Sequence, residues 1–123
     1  MSDITTTIDT YLEAYGETDT DRRLALIEKV FAAEAHVFDP PIDGAGHIGI
    51  NEMFTAVQSQ FAGHTFRRST GVDSHHGIGR YGWEMVAGDG SVTLAGMDVA
   101  VVNDAGKLTR VAGFFGELPP LDA

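Results

Sequence analysis

Apolar positions in the first half of the chain recur at helical intervals. Ile4, Ile8, Tyr11, Leu12 and Tyr15 share one stripe while Asp9, Thr10 and Glu13 fall off it, which predicts a helix over about 3–16 ended by Gly16. A second helix is expected from about Asp19 to Ala33, with Asp19 or Asp21 as its N-cap and Leu24, Ile27, Val30 and Phe31 as its apolar side. The run His36-Val37-Phe38-Asp39-Pro40-Pro41 cannot be helix interior, because prolines remove amide donors and push the preceding residue towards an extended conformation. Asp39 is therefore expected at the end of a short extended piece. After a Gly44-Ala45-Gly46 loop, Ile50, Met53, Phe54, Val57 and Phe61 mark a third helix.

From Thr65 onward the texture changes to β-branched and aromatic residues punctuated by turns. Four strands are expected, at about 65–75, 78–86, 91–102 and 108–116. Gly88 to Gly90 and Asn103 to Gly106 supply the glycine and Asn/Asp residues of tight hairpin turns, which make the strands they join antiparallel. Pro119 and Pro120 stop the last strand. Helices first and a meander afterwards predict one α+β domain over 1–123, with three N-terminal helices on one face of an antiparallel sheet.

Composition narrows the class of partner. A net charge of -10 provides no basic face for nucleic acid or an anionic membrane, and the short pairs Arg22-Arg23 and Arg67-Arg68 do not make one. The absence of cysteine removes a disulfide framework and a thiolate nucleophile, consistent with a cytoplasmic protein. No leader-like N-terminus or run of about 18 apolar residues occurs, so neither secretion nor a membrane span is expected.

Three residues stand out for chemistry. Alternation along the strand from Ser91 to Val102 puts Asp98 on the face of Val92, Leu94, Ala100 and Val102, where burial would keep the acid protonated and able to donate. A solvent-facing Asp98, or one paired with Arg80 or Arg110, accounts for the same pattern. Asp39 is pinned by the following prolines, which suits a catalytic carboxylate and equally a turn cap. Tyr11, on a buried stripe, needs a partner for its hydroxyl, although core packing alone accounts for its position. His75 and His76 are adjacent on an expected strand, so at most one faces a pocket and they do not share a metal. His36, His47 and His64 lack ligand spacing. Neither a metal nor a cofactor is expected, since phosphate-loop and dinucleotide glycine patterns are also missing.

The order Tyr11, Asp39-Pro40, Gly46 before Ile50-Asn51-Glu52 and Phe54, and Ala95-Gly96-Met97-Asp98 resembles the ketosteroid isomerase branch of the nuclear-transport-factor-2-like (NTF2-like) superfamily over about residues 4–117. The stretch from Gly71 to His76, Trp83 and the ending from Gly113 to Pro119 look more like the SnoaL-like and polyketide-cyclase-like bacterial members. The resemblance implies a cone-shaped fold, a strongly curved sheet over three helices enclosing an apolar pocket. It also implies Asp39 as a base beside a substrate carbonyl, with Tyr11 and a protonated Asp98 as oxyanion donors; this is the isomerases' scheme carried over. Phe54 stands where those enzymes have a supporting tyrosine, so the network behind Tyr11 is expected to be shorter.

The leading expectation is a cofactor-independent enzyme that moves a proton on a small apolar carbonyl compound of steroid, terpenoid or polyketide type. The expected pocket wall is Phe38, Met53, Phe54, Val57, His75, Trp83, Met97 and Phe114. Alternatives are epoxide hydrolysis, which needs an arginine between two carboxylates, and a noncatalytic binding or dimerisation module. Thr93, Ala95, Met97, Val99 and Val101 make the second face of their strand apolar too, so a homodimer through the sheet is expected.

Overall fold

Asp3 accepts a hydrogen bond from the Thr5 amide and opens helix α1 (Ile4–Tyr15); Asp19 does the same for the Arg22 amide and opens α2 (Thr20–Val30). The computed structural model describes residues 3–122. Helix α2 ends three residues before its expected end. Phe31 pairs with Leu108 on a distant strand, and that pairing overrides the helix propensity of Ala32 and Ala33. The extended piece is accordingly a nine-residue strand, β1 (Phe31–Asp39).

Where a loop was expected, β2 (Ile42–Ala45) folds back on β1 across the Pro40-Pro41 turn and leads into α3 (Gly46–Gln60). The expected strand at 65–75 is two pieces, β3 (Thr65–Arg68) and β4 (Asp73–His75), both paired to β5 (Ile78–Val86). Between them Thr70 accepts a hydrogen bond from the Gly82 amide through its side chain, replacing a ladder bond. Then come β6 (Val92–Val102) and β7 (Leu108–Phe115).

The strands form one open sheet in the order β2-β1-β7-β6-β5-β3, with β4 also on β5. All pairs are antiparallel except β1 and β7, which run parallel. The three helices pack on one face of the sheet, burying Ile8, Tyr11, Ile27, Ile50, Phe54 and Val111 in a single cluster. Arg23 is buried as well. Its guanidinium ties the α1–α2 connection to α3 through the Glu17 carbonyl and the side chains of Asn51 and Thr55. Among the described residues no helix is long and apolar enough to cross a membrane.

Two register shifts decide which side chains become neighbours. Val86 pairs with Val92, but Met85 pairs with Leu94, leaving Thr93 as an extra residue in β6. Carried on unshifted, the ladder would set Arg80 opposite Asp98; the bulge sets Tyr81 there. On the other side Val102 pairs with Leu108 and Val101 with Arg110, so Thr109 is extra in β7 and Asp98 faces Gly113 where Ala112 would otherwise stand. Bulges of this kind also bend strands, which helps the sheet wrap the helices.

Candidate functional site

Strand alternation turns Asp39, Gly113, Asp98 and Tyr81 to the helix-covered face, side by side across β1, β7, β6 and β5. Helix α1 lies over this row and lowers Tyr11 and Tyr15 towards it, one turn apart. Tyr11, Tyr15, Asp39 and Asp98 border a cavity of about 340 Å³, with Tyr81 and Gly113 behind its wall. Its lining is mainly apolar, with Val57, Phe61, Phe66, Trp83, Leu94 and Phe115 prominent.

The polar groups have distinct surroundings. Asp39 Oδ2 accepts a 2.9 Å hydrogen bond from the Tyr15 hydroxyl, whereas its Oδ1 is buried without a hydrogen-bond partner among the described residues. Burial pushes the Asp39 carboxyl up to about 6, and the Tyr15 bond partly opposes the shift. Asp98 Oδ2 accepts a 2.7 Å bond from the Tyr81 hydroxyl. Burial pushes Asp98 up to about 8; the Tyr81 bond opposes this and the negative charge of Asp39 adds to it. The Trp83 indole N–H points towards Asp98 without reaching good hydrogen-bond geometry, which leaves it a spare buried donor. The Tyr11 hydroxyl bonds to no described residue, and burial first, then the carboxyls, holds its proton on.

Among the described residues no cation offsets these carboxyls. Arg80 pairs with Asp73, and Arg110 lies 4.8 Å over the Phe38 ring on the opposite face of the sheet. The salt-bridged alternative for Asp98 is therefore overturned, and the Asp-Arg-Asp arrangement of epoxide hydrolysis is not formed. The larger, shallower groove between α1 and β3 is a surface feature whose Arg68 and Asp9 are paired with each other.

The structure brings Tyr11, Asp39, Asp98, Val57 and Trp83 to one cavity, and the other expected wall residues lie elsewhere. Phe38 and Met97 directly adjoin Asp39 and Asp98 in their strands, so the pleat turns them to the outer face; Phe114 follows them there and Phe115 takes its place. Met53 and Phe54 are buried behind the wall, where Phe54 stacks on Tyr15 with ring centroids 4.1 Å apart. His75 lies outside, in a shallow cleft with Asp3 and Val102. His76 has a positive φ of 51°, which turns its ring onto His75 instead of the far side of the strand. Among the described residues no three His, Asp or Glu side chains gather in a way that could hold a metal ion.

Sequence reasoning missed Tyr15, Tyr81 and Gly113. Tyr15 was open to it, because it stands four residues after Tyr11 on the same helical stripe. Tyr81 and Gly113 were not, because each reaches Asp98 only through a bulge.

A scan of protein-family models gave no match, and neither did a search of curated proteins. Solved structures are informative. A proposed isomerase of the SnoaL-like family from Agrobacterium tumefaciens is 32% identical with a TM-score of 0.88, over 95% of this chain and 100% of that one. An NTF2-like protein from an Exiguobacterium species is 20% identical, with a TM-score of 0.71 over 91% of this chain and 99% of that one. A proposed polyketide cyclase from Sinorhizobium meliloti is also 20% identical, with a TM-score of 0.69 over 89% and 94%. The last two speak for the fold alone.

Proposed function

The chain belongs to the SnoaL-like family of NTF2-like proteins, and from that footing we propose that its pocket takes a small, mostly apolar carbonyl compound and moves a proton at the carbon beside the carbonyl. Asp39 is the base, and Tyr11 with protonated Asp98 donates to the carbonyl oxygen as negative charge develops on it. The isomerase assignment proposed for the Agrobacterium relative agrees with this reading.

One observation carries it: two donors with no hydrogen-bond partner among the described residues, the buried Trp83 indole N–H and the Tyr11 hydroxyl, belong to side chains that border the same apolar cavity as Asp39 and a carboxyl held protonated near neutral pH. A purely structural set of side chains would have satisfied one another. An acceptor held ionised above about pH 6 beside donors held protonated is the separation that acid and base catalysis needs at neutral pH. The cavity lies at the lower end of the roughly 300–1,000 Å³ range of ligand sites, which favours a compact ring system.

The test is deuterium uptake at the α-carbons of simple ring ketones, followed by proton NMR in D2O. Wild type is expected to accelerate exchange over buffer, and Asp39→Asn to bring it back to the buffer rate. Equal rates for wild type and Asp39→Asn across a panel of ketones would overturn the reaction.

A further inference from the structure

We propose that Asp39 and Asp98 form a carboxyl pair that shares one proton, and that Gly113 is the positioning residue that lets them meet. For its chemical use the pair rests on the acid–base reading of the pocket; its existence does not depend on turnover.

The geometry begins at β7. A Cβ on Gly113 would collide with Asp39 Oδ1 and would stand 2.9 Å from Asp98 Oδ1. The two Oδ1 atoms are thus near neighbours over one bare α-carbon, while each Oδ2 is turned away to its own tyrosine. With its Oδ2 accepting from Tyr81, a protonated Asp98 carries its proton on Oδ1, on the side of Asp39. Asp39 Oδ1 is also the buried oxygen that has no partner among the described residues. A proton on Asp98 supplies the missing donor, and a carboxyl-to-carboxylate bond is among the strong, charge-assisted kind.

The groups that face the pair agree with a single shared proton. Tyr11 and Tyr15 from α1 and Tyr81 from β5 are donors whose own protons burial retains, and no arginine, lysine or histidine among the described residues reaches the row. Two carboxylates this close without a cation do not both ionise readily, so they titrate in separated steps that belong to the pair. Burial is the largest cause of the upward shift at both carboxyls, and at Asp98 the negative charge of Asp39 adds to it.

The pair gives the site a way to reset. When a substrate α-carbon yields its proton to Asp39, Asp98 gives its own to the carbonyl oxygen. The C–H bond breaks, its electron pair becomes the C=C bond of an enol, and an O–H bond forms as the carbonyl π bond opens. The pair still holds one proton, now on Asp39, and transfer between the Oδ1 atoms restores the start. Acid and base so close together suit a carbon and oxygen of one carbonyl group, which makes keto–enol interconversion the favoured reaction.

The experiment is a carboxyl carbon NMR titration of protein labelled at the aspartate γ-carbons, with no substrate present. Wild type is expected to show Asp39 and Asp98 titrating in two steps, each step visible at both carbons. Asp39→Asn should lower the Asp98 midpoint by about one pH unit, a tenfold change in proton affinity. Gly113→Ala should move it the same way, because the Asp39 carboxyl can rotate clear of the new methyl and leave the fold intact. An Asp98 midpoint unmoved in Asp39→Asn overturns the pair, whether or not Gly113→Ala folds. A coupled titration in a protein that exchanges no ketone hydrogen would sink the reaction and leave the pair standing; exchange without coupling would do the reverse.

Discussion

Tyr81 donates a 2.7 Å hydrogen bond to Asp98 Oδ2 from the position directly opposite it in the β5–β6 ladder. The bond favours the ionised acid and so restrains the upward shift that burial imposes. Tyr81→Phe is therefore expected to raise the Asp98 midpoint further. It should also cost about 1–3 kcal/mol, the usual penalty for a buried polar group left unsatisfied. Denaturant unfolding near pH 6 measures this, and a change of only a few tenths would remove Tyr81 from the account.

Stability should fall as pH rises through the neutral range. Asp39 and Asp98 are both held above the ordinary aspartate value, so the folded chain keeps protons that the unfolded chain has released. The contribution of Asp98 is full below about pH 4 and is lost progressively as pH rises through about 8; that of Asp39 is lost by about 6. Wild type is thus expected to weaken relative to Asp98→Asn between these limits, by at most about 1.4 kcal/mol per pH unit. Asp98→Leu removes the buried acid but leaves the Tyr81 hydroxyl without its acceptor, so it should start less stable than wild type at low pH and close the gap as pH rises towards 8. A wild type that gains on Asp98→Asn as pH rises identifies a charged structural residue.

The outer face of the sheet leads to a prediction about assembly. Phe38, Met97, Val99 and Phe114 lie there, and Phe114 is 57% exposed in the single chain. A second copy is expected to cover them, burying apolar surface that no helix reaches. Light scattering at micromolar concentration should give twice the monomer mass, and Phe114→Asp should halve it. A clean monomer for wild type contradicts this.

Ligand preference should follow the lining of the cavity and the net charge of -10. Phenolic and ring-ketone compounds are expected to raise the melting temperature, and sugar phosphates to leave it unchanged. Phenols mimic the enol oxygen, so their effect should shrink in Tyr11→Phe. Stabilisation by phosphates alone would refute the pocket's assignment.

Tyr11, Asp39 and Asp98 were legible because each carries a local signal: a helical stripe, a proline-pinned strand end, and an acid among apolar alternates. Phe38 and Met97 were misplaced against a rule already in hand, since a strand cannot turn adjacent side chains to the same face. Tyr81, Gly113 and the parallel pairing of β1 with β7 lay out of reach. A bulge adds one residue with no mark in composition, and here Thr93 and Thr109 look like ordinary strand residues. Were those two residues paired in register instead of bulged out, Arg80 and Ala112 would flank Asp98, a cation and a methyl group where the site has a phenol and open space.

The central claim is that one carboxyl acts ionised and its neighbour acts protonated on the same ligand. The pH dependence of ketone α-hydrogen exchange tests this most directly. The account predicts a bell, rising through about pH 6 as Asp39 ionises and falling through about 8 as Asp98 loses its proton, with Asp98→Asn losing the upper limb and keeping the lower. A rate that is flat across both limbs, or an upper limb that persists in Asp98→Asn, would contradict it.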